Sequence, residues 1–186
     1  MHGRERLRGP RRGDPLGYYH ADGPLGDLLP ADGPVRSVAA VGLGAGVIGA
    51  HSRSMDRLCF YELDPDNPGI ARDHFSYLRR SRATVVTGDA RISLAAEAGM
   101  DTYDLLVLDA FSGDSVPAHL LTREALQIWL ERVGERGRIG LHISNRVYAL
   151  RSVVAALARD AGVAVRFKQV ASDPSIDLDA STWAAI

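Results

Sequence analysis

Residues 36–46, Arg-Ser-Val-Ala-Ala-Val-Gly-Leu-Gly-Ala-Gly, constrain the fold of this chain more than any other stretch. Residues 38–41 form a short apolar run, the length of a buried strand. Gly42, Gly44 and Gly46 then punctuate it. Glycine reaches backbone angles closed to other residues and lets another molecule approach the main chain. A strand ending in alternating glycines ahead of a helix is the usual cradle for a nucleotide-like ligand. The next apolar run ends in Glu62, twenty residues after Gly42. A Rossmann-like fold places an acid for ribose hydroxyls at about that distance. Together the two features predict a nucleoside site.

The rest of the chain alternates in the same way. Residues 46–54 are expected to form a short helix and residues 58–61 a second strand. A helix is expected over 65–80, with Ile70, His74, Phe75 and Leu78 at helical spacing. Pro65 suits its first turn, where a missing N–H costs nothing. Strands follow at 83–87, 105–108, 138–143 and 163–170, and a last one starts at 182–186. Helices are expected between them at 92–98, 122–133 and 150–160, the last stopped by Gly162. The strands are nearly continuous in apolar residues, so both their faces are buried. This predicts an α/β fold, a mostly parallel sheet with helices on both faces. Residues 1–35 are rich in Gly, Pro, Arg and Asp, with Tyr18 and Tyr19 as aromatic anchors. They read as a surface-covering arm with a partial hairpin, and 36–186 as the ligand-binding domain. The chain stops inside an apolar run at Ile186, which predicts truncation at the C-terminus.

Composition narrows the class. A net charge of -1 favours neither nucleic acid nor an anionic membrane. The single cysteine, Cys59, rules out a disulfide framework and reads as a small core residue. No apolar stretch has the length of a membrane span and no leader is evident, so the cytoplasm is the expected location. His51, His74, His119 and His142 show no metal-ligand spacing, and no metal is expected. His142 reads as a satisfied structural histidine. Ser112 lacks the setting of a hydrolase nucleophile, and Trp129 reads as core beside Leu126 and Val133.

In open α/β sheets the ligand lies outside the carboxyl ends of the strands. Four features fall at such ends: the glycine loop, Glu62, Asp89 and Asp109. Glu62 can accept from both ribose hydroxyls, because a carboxylate has two acceptor oxygens. Asp89 can accept from an exocyclic amine of a base. Asp109 sits where the reacting end of the ligand would lie. Asp114 follows five residues later. Two neighbouring acids favour a cationic substrate, and one of them can take a proton from an amine held by the other.

These residues resemble the spermidine synthase (polyamine aminopropyltransferase) family, and more closely its bacterial spermidine synthase-like branch. His2-Gly3-Arg4-Glu5 resembles the family's opening motif, and Tyr18-Tyr19-His20 its substrate-side tyrosine segment. Gly42-Leu43-Gly44-Ala45-Gly46 resembles its glycine motif, Tyr61-Glu62-Leu63-Asp64 its ribose motif and Gly88-Asp89-Ala90 its adenine motif. The run from Tyr103 to Asp109, followed by Asp114, resembles its catalytic strand and loop. The glycine, ribose and adenine motifs are shared with class I methyltransferases.

The resemblance implies a Rossmann-like class I S-adenosylmethionine-dependent methyltransferase fold. It implies decarboxylated S-adenosylmethionine, or S-adenosylmethionine itself, as co-substrate. The donor would meet Gly42, Gly44, Gly46, Glu62, Leu63, Asp89 and Ala90. An aminopropyl group would pass to a small-molecule amine, with Asp109 as the base. Glu5, Tyr19, His20 and Asp114 would line the amine side. A second copy of the chain is a compatible partner. Two departures stand out. Ala45 occupies a position where the family usually carries the Asp that meets the donor's free amine, and Glu5 replaces a Gln. A methyltransferase, or a truncated non-catalytic adenosyl-binding homologue, are the alternatives.

Overall fold

The computed structural model describes residues 3–29, 35–55, 57–97, 99–110, 117–145 and 147–186. Seven strands form one sheet: β1 (Ser37–Val41), β2 (Arg57–Glu62), β3 (Thr84–Thr87), β4 (Tyr103–Leu108), β5 (Val133–His142), β6 (Arg166–Val170) and β7 (Ser181–Ala185). Their spatial order is β3-β2-β1-β4-β5-β7-β6. The first five run parallel, and β7 is antiparallel to both its neighbours. The helices are α1 (Pro24–Leu28), α2 (Asn67–His74), α3 (Tyr77–Arg80), α4 (Ala90–Ala96), α5 (Arg123–Arg132) and α6 (Leu150–Asp160).

Alternation along each strand divides the core in two. Ala39, Val41, Cys59, Tyr61, Leu106 and Leu108 point to one face, where Leu94 of α4, Trp129 of α5 and Val154 of α6 cover them. Val38, Ala40, Leu58, Phe60, Leu105 and Val107 point to the other. That side is covered by Leu25 and Leu28 of α1, Ile48, Ala71 of α2 and Tyr77 of α3. A strand with period-two side chains and no polar face can be stable only between two such layers. Each fully buried Leu or Val adds about 1.5–3 kcal/mol. Cys59 and Trp129 are core residues, as expected.

Three expectations need correction. The N-terminal segment forms no hairpin among the described residues. It takes a 3₁₀ turn at Gly17–Tyr19 and then α1, and its Tyr19, Leu25 and Leu28 join the second core cluster. Pro24, at the start of α1, fixes a helical backbone angle where no N–H is needed. The helix expected over 65–80 is two helices. Phe75 is extended, and the Glu5 carboxylate accepts from the Ser76 N–H (2.7 Å) and hydroxyl, capping α3. Both Glu5 oxygens are thus engaged by Ser76. Finally, β5 starts at Val133, well before residue 138. Its register on β4 jumps from Tyr103↔Val133 to Leu105↔Arg138, so 134–137 bulge out.

Among the described residues, no helix is long and apolar enough to cross a membrane.

Candidate functional site

The strand order reverses at β1, with β2 on one side and β4 on the other. Connections leaving in opposite directions open a crevice at the carboxyl ends there. A cleft of about 440 Å³ occupies this position. Register brings its floor together. The Gly42 N–H donates to the Tyr61 carbonyl (2.8 Å), the Asp109 N–H to the Val41 carbonyl (2.9 Å) and the Gly88 N–H to the Glu62 carbonyl (2.8 Å). The four strands β1 to β4 therefore end level with one another.

Gly42 is required here. Its φ is +94°, and a Cβ would sit 2.5 Å from the Asp109 carbonyl oxygen. Any side chain would push β1 away from β4. Glu62 then ties the loop down. One carboxylate oxygen accepts from the Leu43 N–H (3.0 Å) and the Asn67 amide (2.9 Å), the other from the Asp64 N–H (2.9 Å). One lone pair is left over, on the oxygen that accepts from Asp64. Asp89 is the N-cap of α4, accepting from the Arg91 and Ile92 N–H groups at 2.8 and 3.2 Å. Its second oxygen lies 3.5 Å from His119 Nε2. A helix cap and a cleft carboxylate are here the same residue.

At the deep end stands Asp109, its side chain only 5% exposed. The Tyr19 hydroxyl donates to one oxygen at 2.5 Å, and His142 Nδ1 meets the other at 2.8 Å. The Tyr18 hydroxyl donates to that of Tyr19 at 2.9 Å. Burial, then the Asp109 charge, push both tyrosine pKa values well up, so both hydroxyls stay protonated donors. Beneath them, His51 Nε2 donates to the Tyr19 carbonyl at 2.8 Å, and burial pushes the His51 pKa down.

The cleft gathers Gly42, Gly44, Glu62, Leu63, Asp89, Ala90, Asp109 and Tyr19 from the sequence candidates. Gly46 lies behind the loop, at the start of the 3₁₀ helix Val47–Ser54, and does not line it. His20 is turned away, its Nδ1 accepting from the Asp22 N–H (3.1 Å). Glu5 caps α3 as described. Asp114 and Ser112 lie outside the described residues. Ala45 does not line the cleft either. It is buried, and a Cβ added at Gly3 would sit 2.4 Å from its methyl carbon. The arm closes over that position.

Asp64 lines the cleft with the rest of the ribose-motif run, and so do Asn67, Pro117 and His119, which no sequence motif marks as site residues. Asn67 is legible in principle, since it closes the loop that follows Glu62. His119 and Pro117 reach it only through the path of the chain beyond β4. Four lining residues are carboxylates, and among the described lining residues none is Lys or Arg. Among the described residues, no group of three or more His, Cys, Asp or Glu is placed to hold a metal ion.

No protein-family profile matches the chain. A curated relative, a polyamine aminopropyltransferase of Vibrio vulnificus (strain CMCP6), is 35% identical over 107 residues, or 55% of this chain and 35% of that protein. The chain thus spans about a third of the length of that relative. Human methyltransferase-like protein 13, solved in complex with SAH, aligns with a TM-score of 0.65 at 20% identity, over 86% of this chain and 73% of that one. Spermidine synthase from Thermotoga maritima aligns with a TM-score of 0.63 at 18% identity, over 85% of this chain and 55% of that one. The fold is the Rossmann-like one of class I S-adenosylmethionine-dependent methyltransferases.

Proposed function

We propose that this chain is a spermidine synthase-like aminopropyltransferase, binding an adenosyl sulfonium donor in the cleft and moving its aminopropyl group to an amine. The carrying observation is the charge of the cleft. Glu62, Asp64, Asp89 and Asp109 line it, and no described lining residue offers a guanidinium or ammonium. Decarboxylated S-adenosylmethionine brings a sulfonium and an ammonium and no carboxylate. The intact donor adds a carboxylate, which at about 4 Å from another acid is opposed by roughly 1–4 kcal/mol. The Vibrio vulnificus relative, by its name, supports the same reading.

In this reading the glycine loop approaches the nucleoside, and the spare lone pair of Glu62 takes a ribose hydroxyl. The Asp89 oxygen that does not cap α4, and that lies near His119, faces the base. Leu63 and Ala90 supply apolar cover. Asp109 removes a proton from the incoming ammonium as nitrogen attacks the carbon bound to sulfur. The carbon–sulfur pair leaves with sulfur, giving neutral methylthioadenosine. The sulfonium is already a good leaving group, so alignment and a neutral nucleophile are most of the task. Asp114 is assigned to the amine side from its resemblance alone.

A methyltransferase is the second reading. The fold, which is that of class I methyltransferases, favours it. Calorimetry separates the two. Tighter binding of the decarboxylated donor than of S-adenosylmethionine is the expected result, and the reverse order favours methyl transfer.

A further inference from the structure

We propose that His142 is a positioning residue for Asp109, and that it acts through a donated Nδ1 hydrogen; the inference rests on the reading of Asp109 as the base. His142 ends β5 and is 8% exposed. Its Nδ1 lies 2.8 Å from one Asp109 oxygen, and its Nε2 lies 2.8 Å from the Ser144 hydroxyl oxygen. An ionised carboxylate can only accept, so Nδ1 carries the hydrogen of that contact. The Ser144 oxygen accepts from the Thr182 N–H at 2.9 Å, and its own hydroxyl hydrogen can be donated to Nε2 once Nδ1 carries the ring hydrogen. The chain runs one way, from the β7 backbone through Ser144 and His142 to Asp109. It selects the Nδ1–H form of the imidazole.

The ring is held as firmly as its hydrogens. Tyr18 stacks on it with centroids 4.2 Å apart at 21°, and Trp183 stacks at 5.0 Å and 26°. Tyr19 fixes the other Asp109 oxygen. A carboxylate gripped at both oxygens cannot rotate about its Cβ–Cγ bond, so its remaining lone pairs keep one direction for an approaching amine. Misplacement of a reacting group by an ångström can cost about 10²-fold in rate. The arrangement draws on four separate segments: the N-terminal turn, β4, β5 and the antiparallel β7. It explains why the last strand matters to a site formed by the first ones.

The test uses three variants in single-turnover aminopropyl transfer. His142→Phe removes both contacts, His142→Gln places an amide near Nε2, and His142→Asn places an amide hydrogen near Nδ1. We expect about 10- to 100-fold lower kcat for His142→Phe and His142→Gln, with methylthioadenosine affinity within about twofold of the native protein. His142→Asn should recover most of the loss. Equal rates for the Asn and Gln variants, or a native rate for His142→Phe, would overturn the proposal. Nitrogen-15 NMR of the native protein provides a check independent of activity and of variant folding. Protonated Nδ1 supports the proposal and bare Nδ1 overturns it. A protein that transfers nothing to any amine, yet shows protonated Nδ1, would fault the assigned reaction and leave the Asp109–His142 link standing.

Discussion

Glu62 offers the most informative perturbation, because its fold role and its ligand role give separate readouts. Its carboxylate accepts three hydrogen bonds, from Leu43, Asp64 and Asn67. Glu62→Ala orphans all three donors. Leu43 is buried, so its N–H loses its acceptor at a cost of about 1–3 kcal/mol. The other two donors are nearer solvent and add less, for a total of about 2–4 kcal/mol. In a domain of this size each kcal/mol lowers Tm by about 2–4 °C, so a fall of about 4–16 °C is expected. Glu62→Gln is milder. Its carbonyl can replace the oxygen that accepts twice, leaving its amide opposed to the Asp64 N–H, for about 1–2 kcal/mol. In calorimetry, Glu62→Ala should weaken methylthioadenosine by about 1.5–3 kcal/mol, roughly 10- to 150-fold. An unchanged Tm would refute the tethering of the glycine loop. An unchanged affinity in the folded variant would refute the ribose assignment.

Other perturbations separate the remaining parts of the account. Asp109→Asn should keep methylthioadenosine binding and lower transfer by about 10²–10⁴-fold in single-turnover assays, the usual weight of a general base. Ala45→Asp places a carboxylate under Gly3 in the second core cluster, so a loss of about 3–5 kcal/mol is expected in denaturant unfolding; a stable variant with altered donor preference would mean that position 45 faces the cleft. His51 is held neutral by burial, with its folded pKa below the usual imidazole value of about 6.5, so the unfolded chain binds more protons there and stability falls as pH drops from about 6.5 towards the folded pKa. His51→Gln, which can still donate to the Tyr19 carbonyl, should flatten that acid limb in Tm-against-pH curves while leaving Tm near pH 8 nearly unchanged.

Local pattern and long-range closure divide what the sequence reveals. The apolar runs at β1, β2 and β4 and the residues closing them are legible, because a parallel strand buried on both faces must be apolar and its ligand groups must wait for its end. Gly42, Glu62, Asp89 and Asp109 follow from that logic alone. Contacts across the chain do not. Glu5 breaks the helix expected over 65–80 from a distance of 71 residues, and no spacing records it. Ala45 reads as a donor contact by its motif, yet the arm's Gly3 covers it. His142 reads as a structural histidine because its partners, Tyr18, Asp109, Ser144 and Trp183, meet only once β7 pairs antiparallel with β5. The bulge at 134–137 carries two glycines in an otherwise strand-like run, a local signal of a break in the ladder.

The central claim is that Asp109, gripped by Tyr19 and His142 in an acid-lined cleft, makes an amine nucleophilic toward an adenosyl sulfonium. Single-turnover reaction of the native protein with decarboxylated S-adenosylmethionine and a series of diamines, putrescine first, tests it most directly. Methylthioadenosine release in step with aminopropyl transfer, and loss of both in Asp109→Asn, is the expected result. A native protein that binds the donor and releases no methylthioadenosine with any amine, or an Asp109→Asn variant that turns over normally, would contradict it.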